Sequence, residues 1–131
     1  MATDSTLAQT ESASEDEALR YTNAYIATSN AVGDAIIILR RLEAISFDPD
    51  EQQRIMLERR RLEDEYAQNE RSFLAFHAGG LAMNPPSQEE VDSIVALASQ
   101  LALLTQKKTT LSAVVQLANS VVTQFTAIRD V

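Results

Sequence analysis

Apolar residues return along this chain at steps of three and four, the period of an α-helix, in three separate stretches. Tyr25, Val32, Ile36 and Leu39 mark the first; Ile55, Leu62, Tyr66, Phe73 and Phe76 mark the second. The third is the longest. Ile94, Leu97, Leu101, Leu104, Lys108, Leu111, Val115, Ala118, Val122 and Phe125 alternate steps of three and four, the seam expected of coiled-coil-like packing, and only Lys108 interrupts it. A second stripe, Val95, Ala98, Ala102, Val114, Leu117, Val121 and Ile128, lies beside the first, so this helix is expected to contact neighbours on two sides.

Start and stop signals bound the segments. Ser14-Glu15-Asp16-Glu17, Asp48-Pro49-Asp50-Glu51 and Ser87-Gln88-Glu89-Glu90 each place a capping oxygen three residues before a Glu. Pro49 suits the first helical position, where its missing N–H costs nothing. Gly79-Gly80 can supply a left-handed terminating residue, and Pro85-Pro86 forbids continuation before the third start. The prediction is an all-α antiparallel three-helix bundle, up-down-up, with helices near 14–45, 48–78 and 87–130 joined by short connections.

The lengths are unequal. At about 1.5 Å per residue the first two helices span roughly 45 Å each and the third roughly 65 Å, so the last turns of the third are expected to project beyond the bundle. The seam crosses Lys107-Lys108-Thr109-Thr110 without a phase slip, which predicts one unbroken helix. A break there would instead fold 111–130 back as a fourth helix and consume its apolar residues internally.

Charge changes the picture at the N-terminus. The first seventeen residues carry five acids and no base, with Leu7 the only large apolar residue after Met1, so residues 1–13 read as a disordered acidic tail and 14–131 as the helical domain. No secretory signal is present, and the expected address is cytoplasmic; Ser/Thr-rich leaders also occur on substrates of dedicated bacterial export machines. Eleven Lys and Arg against nineteen Asp and Glu give a formal charge of −8, which argues against a nucleic-acid partner. The absence of Cys removes disulfides, thiolate metal sites and cysteine nucleophiles.

Catalytic chemistry finds little to work with. His77 is the only histidine and has no carboxylate or imidazole three or four residues away, so it reads as an imidazole at the negative end of the second helix. No phosphate-binding Gly loop or nucleophile elbow occurs, and no catalytic residue, cofactor, metal or small-molecule substrate is expected. Arg59-Arg60-Arg61 resembles a basic patch, but Arg54, Arg59, Arg60 and Arg61 each have an acid four residues on, which reads as a solubilising face.

Three features point to association. Ile36-Ile37-Ile38-Leu39 occupies successive positions about 100° apart, so at least one of Ile37 and its neighbours must point away from any single partner helix. Nearby, Ala27, Ala31, Gly33 and Ala35 suggest a close helix approach. The stretch 72–88 carries no charge and places Phe73, Phe76, Leu81 and Met83 at a hairpin tip, either a plug capping the bundle or a docking element for a partner or membrane. The twenty residues 109–128 also lack charge, yet nine are Thr, Ser, Gln or Asn, too polar for a membrane span.

The resulting expectation is a non-enzymatic interaction protein that binds itself or a protein partner through Val115, Ala118, Val122, Phe125 and Ile128 of the last helix, with the tip residues and Ile37 and Ile38 as further contacts. In general plan it is similar to small helical subunits and adaptors of bacterial secretion or phage assemblies. The alternative is an amphitropic protein that inserts the apolar tip into a bilayer, as α-helical pore formers do.

Overall fold

A computed structural model describes the backbone of residues 2–79 and 83–130, and the side chains of 15–79 and 83–130. Among the described residues four helices follow one another: α1 (Ala2–Ile45), α2 (Pro49–His77), α3 (Gln88–Leu104) and α4 (Leu111–Arg129). The backbone of α1 is helical from Ala2, upstream of the expected start at Ser14, and so runs through residues 2–13 of the expected tail; the side chains of 1–14 lie outside the described residues.

The second and third starts are built as their sequences require. Asp48 caps α2, its carboxylate accepting from the Asp50 N–H at 3.1 Å, and Pro49 opens the helix. Ser87 and Glu90 form a reciprocal capping box, Ser87 Oγ accepting from Glu90 N–H at 3.1 Å and Glu90 Oε1 from Ser87 N–H at 3.0 Å. α2 ends at His77, and just beyond it Gly79 turns the chain with a φ of 78°, the left-handed conformation a residue with a side chain resists.

The expected third helix is two helices. After Leu104 the chain tightens: the Thr105 and Gln106 N–H groups donate to Ala102 and Leu103 carbonyls, and Thr105 Oγ1 donates to Ala102 O at 2.6 Å. Thr110 then caps α4, its hydroxyl accepting from Ala113 N–H at 3.2 Å. Burial decides between the two arrangements. Folding back hides Val114, Val121, Val122, Phe125 and Ile128, about 1.5–3 kcal/mol each by transfer. A break forgoes only about four intrahelical hydrogen bonds, at about 1 kcal/mol each. The last helix therefore neither projects nor continues the seam.

α1 touches all three other helices, α4 touches all three, and α2 and α3 do not touch each other. Ties at the ends fix the directions. Arg20 Nε donates to Pro86 O at 2.8 Å where α3 begins, and Arg41 donates to Thr105 O at 2.8 Å where it ends, so α3 follows α1 in the same sense. At the other end of α4, Asn84 N–H donates to Ile128 O at 2.8 Å and its side-chain amide donates to Ala127 O and Asp130 O, satisfying carbonyls that α4 leaves open.

The core is α1's inner stripe, Tyr21, Ala24, Ala31, Val32, Ala35, Ile38 and Leu39, packed against Ile55 and Leu62 of α2, Val91, Ile94 and Leu101 of α3, and the buried face of α4. Small residues on α1 let the helices close in. Gly33 is not among them: a Cβ placed there would meet nothing within 4 Å. The close approach expected around it belongs to the alanines alone.

Candidate functional site

With the core assigned, the residues expected to bind a partner fall into three places. Ala118, Val122, Phe125 and Ile128 are buried and Val115 is half-buried, so the association surface expected on α4 is spent inside the fold. Phe73 and Phe76 are half-buried in an aromatic cluster. Phe73 stacks on Tyr25 with centroids 4.0 Å apart, Phe76 meets Tyr21 edge-on at 4.8 Å, and Phe125 lies parallel to Tyr21 at 5.8 Å. Such packing is that of a plug. Met83 also packs on the core, and Leu81 lies outside the described residues. Ile38 is buried, whereas its neighbour Ile37 is 54% exposed, the residue of the four-residue run that points away.

Ile37 opens onto a broad concavity between α1 and α3. Because α2 and α3 do not meet, the outer stripe of α1 between them is uncovered, and it forms the floor of a groove of about 810 Å³. Asn23, Ile26, Asn30, Gly33 and Ile37 line that floor at helical spacing. Asp92, Val95, Ala98 and Ala102 of α3 form one wall, and Tyr66 of α2 stands at the other edge. Ile26 and Val95 are 50% and 44% exposed, so the groove presents branched apolar side chains to solvent. At Gly33 the floor drops for want of a side chain.

The electrostatics are one-sided. The charged residues lining the groove are Asp34 and Asp92, with no base among them. Burial raises the Asp34 carboxyl above its ordinary pKa, and none of the described ion pairs relieves it. No group of three His, Cys, Asp or Glu side chains that could hold a metal ion occurs among the described residues.

Set against protein-family models, curated proteins and solved structures, the chain matches none. Its chemistry is read from its own residues.

The charged face lies elsewhere, on α2, and its pairing differs from the expected i,i+4 pattern. Arg59 does bond Glu63 at 2.6 Å, but it also reaches Glu43 of α1 at 3.0 Å. Arg61 turns back to Glu58 at 2.8 Å and across to Asn119, while Glu65 is taken by Arg129 at 3.2 Å. The arginine run thus fastens α2 to α1 and α4 as well as solubilising it. His77 is exposed, its ring edge-on to Phe73 at 4.4 Å.

Two signals for the groove were present in the sequence. Ser93–Gln106 is as free of charge as 109–128, and Gly33 within a long helix costs about 1 kcal/mol relative to Ala without a packing reason. Contrary to the expectation that its polar residues make it too polar for a membrane span, α4 has the length and composition of one, with mean hydropathy 1.3; its apolar face is the one turned into the bundle.

Proposed function

We propose that this chain is an up-down-up-down four-helix bundle that acts as a non-enzymatic protein-binding module, receiving an amphipathic helix of a partner in the groove over α1. The observation that carries this is the uncovered stripe itself. From Asn23 to Ile37 it runs about 21 Å, close to four helical turns, flanked by α3 on one side and Tyr66 on the other. That is the shape of a helix-in-groove site, in which side chains at i, i+3, i+4 and i+7 anchor the guest. Charge complementarity specifies the guest further. Asp34 and Asp92 have no basic neighbour in the lining, and the chain carries −8, so a helix with Lys or Arg beside its apolar stripe is favoured over a second acidic copy.

This reading keeps the interaction function expected from sequence and moves it from α4 to α1 and α3. The bilayer-inserting alternative draws no support from Phe73 and Phe76, which are engaged with Tyr21 and Tyr25.

A designed helical peptide of Leu, Ala and Lys heptads tests it. Titrated into the isotopically labelled chain, it should shift the backbone amides of 23–37 and 91–102, and a counterpart with Glu for Lys should bind at least about tenfold more weakly. Ile37→Glu with Val95→Glu should abolish binding while preserving the helical spectrum. Shifts spread over α2, or binding indifferent to these substitutions, refutes the groove.

A further inference from the structure

A second, smaller recess lies at the opposite end of α1 from the aromatic cluster. Its floor is Ile38, Leu42 and Ile45, the last two turns of α1, and its rim is the α3–α4 connection from Thr105 to Thr109. The volume is about 490 Å³, within the range of small-ligand sites. Arg41, Lys107 and Lys108 stand around it, and no acid among the described residues lines it. In a chain with eleven bases and nineteen acids this is a local reversal of sign. None of the three cations takes part in an ion pair among the described residues. Arg41 is held over the rim by its 2.8 Å bond to Thr105 O.

The adjoining helix end adds to the same sign. α2 and α3 each carry two acids in the first turn, whereas α4 carries none, so the positive end of its dipole beside Lys108, capped by the neutral Thr110 hydroxyl, meets no acid of its own first turn. The apolar half of the site is equally without a partner. Ile45 is 63% exposed and Phe47, at the same end, is 98% exposed.

We propose that this recess binds an amphiphilic anion of the fatty-acid class, its alkyl chain against Ile38, Leu42 and Ile45 and its carboxylate among Arg41, Lys107 and Lys108. Both halves of the ligand are specified. The apolar floor without the cations would suit a neutral alcohol as well as an acid; the cations without the floor would suit any small anion. Length argues for a single chain rather than a guest helix, because Ile38 to Ile45 covers only about 10 Å. The site is separate from the groove over α1 and does not depend on it.

Decanoate, decanol and butyrate, each below its aggregation limit, are titrated into the labelled full chain, with vesicles of anionic phosphatidylglycerol as a parallel arm. Decanoate should saturably shift the amides of 38–45 and 105–109 and leave Gly33 and Val95 unmoved. Decanol and butyrate should each bind at least about tenfold more weakly, and Lys107→Gln with Lys108→Gln should weaken decanoate by about tenfold, a size set by two exposed charge contacts. Both lysines are exposed, and the ligand-free spectrum of the double variant verifies the fold. Added salt should weaken decanoate binding but not decanol binding. Equal affinity for decanol and decanoate, no effect of the lysine substitutions, shifts confined to other residues, or vesicle binding without binding of free decanoate each overturns the proposal.

Discussion

Arg129 offers the most quantitative test of how the fold is closed. Its side chain is 5% exposed at the last turn of α4, where it donates to Asn69 Oδ1 at 2.8 Å, Glu65 Oε2 at 3.2 Å, and both carboxylate oxygens of Asp130 at 2.9 and 3.2 Å. Replacing it with Met keeps much of its volume and removes every donor. Asn69, 2% exposed, then holds an amide oxygen with neither protein nor solvent partner, at a cost of about 1–3 kcal/mol. Breaking a fully buried ion pair costs about 3–5 kcal/mol, but Glu65 and Asp130 are 23% and 58% exposed and rehydrate in part. The expected net loss is therefore about 3 kcal/mol. With a urea slope of about 1–3 kcal/mol/M, that moves the midpoint down by about 1–3 M, read by far-UV circular dichroism. A second variant separates network from packing. Adding Asn69→Leu to Arg129→Met removes the orphaned amide, and the double variant should recover about 1–2 kcal/mol over the single one. A single variant within about 0.5 kcal/mol of the parent, or a double variant no better than the single, refutes the claim that Asn69 depends on Arg129.

Three other outcomes follow from named atoms and can be checked by the same unfolding curves. Thr28 Oγ1 is buried in α1 without a hydrogen-bond partner, so Thr28→Val should raise stability by about 1–2 kcal/mol; a loss would show that the hydroxyl is satisfied. Gly33→Ala should raise stability by about 1 kcal/mol, because the new methyl enters open space; destabilisation would mean that the helix needs glycine's flexibility there. For pH, Arg59 hydrogen-bonding lowers the Glu63 pKa and Arg129 hydrogen-bonding lowers that of Asp130. Their stabilisation is present above the ordinary carboxylate pKa and lost as pH falls through the lowered, folded value. Asp34 has the opposite sign, since burial raises its folded pKa and costs stability above it, so Asp34→Asn should stabilise the chain at neutral pH and lose that advantage below about pH 4.

Much of the fold was legible because the signals were local. Asp48-Pro49, the Ser87 box and Gly79 each fix a helix end with atoms only a few residues apart. The break before α4 was not, for two physical reasons. Leu104 and Leu111 stand seven apart, so the apolar phase reads the same whether the chain runs on or turns back. Thr110 also caps α4 without an acid at the third position, where Ala113 stands, so the sequence lacks the reciprocal half of the box. The ion pairs failed differently. Spacing along one helix offered Arg61 a partner in Glu65, but α4 delivers Arg129 to that carboxylate, and no pattern within α2 announces a cation from another helix.

The missed break before α4 also moves the proposed binding surface. An uncharged helix has two readings, a face buried by the chain itself or a face kept uncharged for something else, and the sequence alone does not divide them. The fold does so by counting neighbours. α4 touches α1, α2 and α3, and its apolar positions are used up; its exposed positions are Ser112, Gln116, Asn119, Thr123 and Ala127, small or polar. α3 touches only α1 and α4, yet its outward positions include Val95, Ala96, Ala102 and Leu103, the last 59% exposed. Desolvating a charge is costly, and a face meant only for water gains solubility from charge, as α2 shows. An apolar face on the less covered helix, carrying Asp92 as its one charge in the groove wall and lying beside the uncovered stripe of α1, is therefore the surface on which the proposed guest helix would sit.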